Sequence, residues 1–148
     1  MASCAEVMGD QTKGNAEMEF DENGKSDTWR KGLQARRKVL GDEYVSRALT
    51  SADDLTADLQ DYITEHAWGA SWTRPGLDHR SRSMITVAMT IALNRPHELE
   101  IHLRGAIRNG LTRDELKEIM LHTAVYCGAP AALDAFRVAR KVFTEMGV

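Results

Sequence analysis

Cysteine is nearly missing from this chain, with two in 148 residues, Cys4 and Cys127, at opposite ends. That scarcity excludes a disulfide-stapled scaffold, and no Cys/His spacing suits zinc, so no metal is expected. Proline is also rare, at three residues, and apolar/polar alternation with period two is almost absent. Strands are therefore not expected. No apolar run approaches the roughly 18 residues of a membrane span. A net charge of −3 gives no basic footprint for nucleic acid. The opening residues lack a basic segment followed by an apolar stretch, so a cytoplasmic location is expected.

What is present is helical punctuation. Residues 1–26 carry no apolar periodicity and read as a flexible tail. Residues 27–148 read as one domain, with hydrophobic content of 43% sufficient for a single core. Asp27 is expected to cap a helix that stops at Gly41, and a short helix follows over Asp42–Ala48. A third is expected from Ser51 to about Trp68, with Leu55, Leu59, Tyr62 and Ile63 on one face. Asp78 caps the next, and Pro96 opens another that ends before Gly110. Thr112 and Glu115 form a capping-box pattern, and Pro130 opens the last helix. The spacing predicts an all-α bundle of about six to seven helices with mostly antiparallel neighbours.

Between the third and fourth helices lies a stretch read as a loop, Trp68-Gly69-Ala70-Ser71-Trp72-Thr73-Arg74-Pro75-Gly76. Trp68 and Trp72 beside Arg74, Arg80 and Arg82 suggest a wall that binds an anion. The plainer alternative is a helix connection whose indoles plug the core edge. Glu65, next to Trp68, is a candidate acid if the indole desolvates it. His102 falls within the apolar stripe of Leu99, Leu103, Ala106 and Ile107, one turn after Glu98. It is a candidate proton donor or acceptor with Glu98 orienting it, or else a core-edge imidazole. His122 and Tyr126 form a further i,i+4 pair, and Cys127 reads as a small buried thiol.

Several strings in order carry a resemblance that runs from Trp29 to the C-terminus. They include Arg36-Arg37-Lys38-Val39-Leu40-Gly41, Thr64-Glu65-His66-Ala67-Trp68-Gly69 and Arg74-Pro75-Gly76-Leu77-Asp78. Further along are Arg82-Ser83-Met84-Ile85-Thr86, Glu98-Leu99-Glu100-Ile101-His102-Leu103-Arg104-Gly105-Ala106 and Tyr126-Cys127-Gly128-Ala129-Pro130. With these the chain resembles the carboxymuconolactone decarboxylase family. The resemblance implies an alkyl-hydroperoxidase-D-like helical bundle assembled into homo-oligomers, commonly hexamers of dimeric units. It implies cofactor-independent decarboxylation of 4-carboxymuconolactone to the β-ketoadipate enol-lactone, in aromatic catabolism. Under it, His102, Glu65 and Glu98 become the catalytic candidates. Arg74, Arg82, Trp68, Trp72, His122 and Tyr126 become the substrate-binding candidates. Related thiol peroxidases place a Cys-x-x-Cys pair upstream of a histidine. If His102 matches that histidine, Arg95 and Glu98 stand in the cysteine positions, which disfavours dithiol chemistry.

Overall fold

Helix caps set the course of the chain. The computed structural model describes residues 22–148, and no strand occurs among them. The elements are α1 (Asp27–Leu40), α2 (Asp42–Thr50), α3 (Ala57–Tyr62), a π-helix (Ile63–Trp72), α4 (His79–Ala92), α5 (Pro96–Arg108), α6 (Arg113–Cys127) and α7 (Ala129–Met146). Most of the expected tail, with Cys4, lies outside the described residues.

The capping box at Thr112 and Glu115 is present, and Asp78 Oδ1 accepts the Ser81 N–H at 2.7 Å. At α1 the cap is Ser26 rather than Asp27: Ser26 Oγ accepts the Trp29 N–H at 3.0 Å. Asp27 instead enters the first turn, where its charge suits the positive end of the helix dipole.

Further expectations differ from the structure. The third helix begins at Ala57, not Ser51. Asp53 Oδ1 accepts the Thr56 N–H at 3.0 Å and its hydroxyl at 2.7 Å, and this local turn competes with helix. The apolar face expected there is largely solvated, with Leu55 83% exposed, Tyr62 63% and Leu59 54%. The Trp68–Gly76 stretch is not a loop throughout. Its first half completes the π-helix, and the turn begins only at Thr73. Cys127 is exposed rather than buried, because the end of α6 faces solvent.

Two apolar clusters hold the bundle. One joins α4, α5, α6 and α7 through Val87, Leu103, Leu116, Met120 and Val142, all fully buried. The other joins α1 and α2 to the π-helix through Trp29, Val39, Val45, Trp68 and Trp72. Helix α5 lies between them. Leu99 and Leu103 face the first cluster, while Ile101 packs on the second.

The crossing of α1 and the π-helix depends on two glycines. A Cβ on Gly32 would sit 2.1 Å from the Thr64 carbonyl oxygen and 2.6 Å from the Gly69 nitrogen. A Cβ on Gly69 would sit 2.3 Å from the Thr28 carbonyl oxygen. Backbone meets backbone here, and any side chain would hold the helices apart.

Candidate active site

The π-helix presents Thr64, Trp68, Gly69 and Trp72 to the protein interior. A π-helix is rare and frequently marks a functional site. Trp68 is 4% exposed and Trp72 9%. Their rings stack with centroids 4.7 Å apart, and the Trp68 ring also stacks on His102 at 6.4 Å. The indole pair is thus the wall against which α5 sets its one imidazole from the apolar stripe.

His102 is half-buried. Burial holds its pKa below the ordinary imidazole value, and the negative charge of Glu98 works in the opposite direction. Glu98 acts through charge: no hydrogen bond joins it to the ring among those described, and its own position is exposed. The orienting bond expected from the i,i+4 spacing is therefore not made.

Glu65 is fixed from another direction. Ser26 Oγ donates to Glu65 Oε1 at 2.7 Å while capping α1. Beside it, Lys25 pairs with Asp61, and the Trp29 Nε1–H donates to Asp61 Oδ1 at 3.0 Å. Residues 25 and 26, read from sequence as the end of a tail, are docked on α3 and the π-helix.

Among the expected anion-binding arginines, Arg82 is committed to the turn. Its Nε donates to the Leu77 carbonyl at 3.2 Å and a terminal nitrogen to the Arg74 carbonyl at 2.9 Å. It braces the segment between the π-helix and α4. Arg80 pairs with Glu115, and the Arg74 side chain is exposed.

His122 and Tyr126 stand elsewhere. Their rings meet at 4.8 Å on α6, facing α4. A cavity of about 560 Å³ lined by Met84, Ile85, Glu118 and His122 adjoins one of about 340 Å³ lined by Met89, Tyr126 and Cys127. Ala88, His122 and Thr123 belong to both, so the two form one open trough. No described ring contact links this trough to Trp68 or His102.

Two residues escaped the sequence reading. Arg36 is 4% exposed, donating to Thr64 Oγ1 at 3.0 Å and Gln60 Oε1 at 2.8 Å. Burial lowers its pKa from the ordinary guanidinium value. It ties α1 to the start of the π-helix without a carboxylate hydrogen-bonded to it. His79, the first residue of α4, sets its ring edge-on to Trp72 at 5.8 Å. Asp78 was legible as a cap, which placed His79 in a first helical turn. Nothing in the local sequence showed which ring it would meet.

The model of the carboxymuconolactone decarboxylase family matches residues 57–141, which span α3 through most of α7. The chain belongs to this family. It is 43% identical over 120 residues to a 4-carboxymuconolactone decarboxylase of Acinetobacter baylyi, covering 81% of this chain and 90% of that protein. It is also 46% identical over 115 residues to a nitrosuccinic acid decarboxylase of Metarhizium robertsii, covering 78% of this chain and 80% of that one. As a family member the chain carries the all-helical bundle, and the matched region contains Glu65, both indoles, His79 and His102.

Proposed function

We propose that this protein is a cofactor-independent decarboxylase acting on 4-carboxymuconolactone, releasing CO2 and forming the enol-lactone. The observation that carries the reading is the half-buried His102 ring stacked on the Trp68–Trp72 wall, within the family's matched region.

The chemistry needs little beyond such a site. The substrate is a butenolide whose ring carbon next to the ring oxygen bears the departing carboxylate and an acetate arm. When CO2 leaves, the bonding pair moves into the ring. The ring double bond shifts, and negative charge collects on the lactone carbonyl oxygen. Protonation of the carbon alpha to that carbonyl completes the product. The substrate is its own electron sink, so the protein supplies binding, charge stabilisation and a proton.

His102 takes the charge-stabilising role in this reading. Burial disfavours its imidazolium form, which suits a neutral ring donating a hydrogen bond to the developing oxyanion. Glu65 is the alternative proton source, held in place by Ser26. Trp68 and Trp72 desolvate the departing carboxylate, while Arg82 keeps the adjoining turn rigid and Arg74 remains as an exposed charge at its edge.

A second reading has its own support. The Metarhizium relative, at 46% identity, is named for nitrosuccinic acid, in which a nitro group serves as the electron sink. The test supplies each compound to the purified protein and follows CO2 release together with enol-lactone or nitronate formation. Faster turnover of the lactone supports the first reading, and faster turnover of nitrosuccinate replaces it with the second. A folded protein that turns over neither refutes both.

The protein is also proposed to assemble with copies of itself. The supporting observation is the α4/α6 trough, lined by exposed Met89 and Tyr126, with Val125 exposed on the same helix as Tyr126.

A further inference from the structure

His79 is a titratable residue of this region that the mechanism above leaves unused. Its Nδ1 is enclosed and has no hydrogen-bond partner. A hydrogen on that nitrogen would meet no acceptor, which favours the tautomer that carries it on Nε2. No described bond occupies Nε2, and it is not among the enclosed unpartnered atoms. The ring therefore offers one N–H donor on its open side.

Its surroundings fix that donor. The ring packs edge-on to Trp72, so the contacts run His102, Trp68, Trp72, His79 in sequence. Asn109 Nδ2 donates to Ser83 Oγ at 2.9 Å and reaches the His79 carbonyl at 3.4 Å, anchoring the first turn of α4 to the end of α5. His79 stands at the start of a 14-residue helix, whose positive dipole end favours a nearby anion. Of the neighbouring cations, Arg80 is engaged with Glu115 and Arg82 with two carbonyls, while Arg74 is exposed at the turn.

Resting on the decarboxylase reading, we propose that His79 Nε2–H binds the carboxylate that the substrate retains, the one on its acetate arm. His102 then works at the lactone end of the same indole wall. This gives the wall two imidazoles with different tasks: one anchors an anion that does not react, and the other meets the charge that develops.

The test is a binding cycle that needs no turnover. The probes are the butenolide acetic acid bearing hydrogen in place of the departing carboxylate, and its methyl ester. Binding is followed by tryptophan fluorescence and calorimetry for the wild type and for His79→Phe, which keeps a ring against Trp72. The wild type should bind the acid at least about tenfold more tightly than the ester, as expected for a charge-assisted hydrogen bond. His79→Phe should bind acid and ester within about threefold of each other, and His79→Gln, with an amide donor near Nε2, should recover part of the preference. An undiminished preference in a folded His79→Phe protein overturns the proposal, as does a wild type that binds neither probe. Turnover assays separate the two claims: decarboxylation by the wild type with an undiminished preference sinks the His79 assignment alone, whereas absent turnover sinks the functional reading whatever the cycle gives.

Discussion

His102 shows how a single side chain takes its chemistry from its neighbours. The helical stripe around it fixes only that the ring points inward. The burial around it lowers its affinity for a proton, and the charge of Glu98 works the other way. The direction sets a stability prediction. Above the ordinary imidazole range neither folded nor unfolded chain binds the proton, and His102 contributes no pH dependence. As pH falls through about 6.5, the unfolded chain takes up the proton while the native site resists it, so stability declines with acid. Denaturant unfolding at a series of pH values should show this decline in the wild type and a shallower one in His102→Gln. Identical slopes would remove the burial assignment. The kinetic counterpart is a rate that holds its plateau somewhat below pH 6.5, because the neutral ring is the working form. His102→Ala should lower kcat by about 10²–10³, the usual loss on removing an oxyanion donor. If both His102→Ala and Glu65→Gln keep near-wild-type decarboxylation while folded, the roles given to these residues are wrong.

At the scale of elements, the π-helix is the part the sequence concealed. Trp68-Gly69-Ala70-Ser71-Trp72 reads as a connection because glycine and serine break helical patterns. In the structure the same glycine lets α1 approach to backbone contact, which brings Thr28 and Thr64 into the crossing. Arg36 then closes the joint from α1 onto Thr64 and Gln60. Gly69→Ala should cost about 3 kcal/mol, since the added methyl meets a main-chain oxygen that cannot rotate away. Gly76→Ala is the matched control, because nothing lies within 4 Å of its added carbon. Chemical denaturation of both variants checks this, and equal midpoints would mean that the crossing is looser than described. The indole wall is built on the same joint, so a partly folded Gly69→Ala protein should also lose ligand-induced fluorescence change.

For the whole molecule, the notable quantity is the apolar surface left in solvent. Val125 is 79% exposed, Tyr126 76%, Leu93 67% and Leu133 65%, spread over α6, the C-cap of α4, and α7. Such a surface on a single chain suits contact with further copies. His122 and Tyr126 line the trough between α4 and α6 on this surface. Val125→Arg should shift the protein to a smaller species in light scattering after gel filtration, with helical circular dichroism unchanged. A wild type that runs as a monomer at working concentrations would remove the assembly proposal.

The all-α bundle, the capping box at Thr112 and the ends of α4, α5 and α7 were written locally, in caps, glycines and apolar spacing acting within a few residues. The family strings were legible for the same reason, as short ordered segments. The sequence also marked Trp68, Trp72, Glu65 and His102 as residues worth relating. It could not say that Ser26 rather than Asp27 caps α1, because the choice is tied to the contact Ser26 makes with Glu65, 39 positions away. Nor could it place His122 and Tyr126 in a trough between α4 and α6, or bring His79 to the indole wall. Those assignments depend on which helix faces cross. That was decided by the Gly32–Gly69 contact and by the two apolar clusters meeting across α5, neither of which has a local signature.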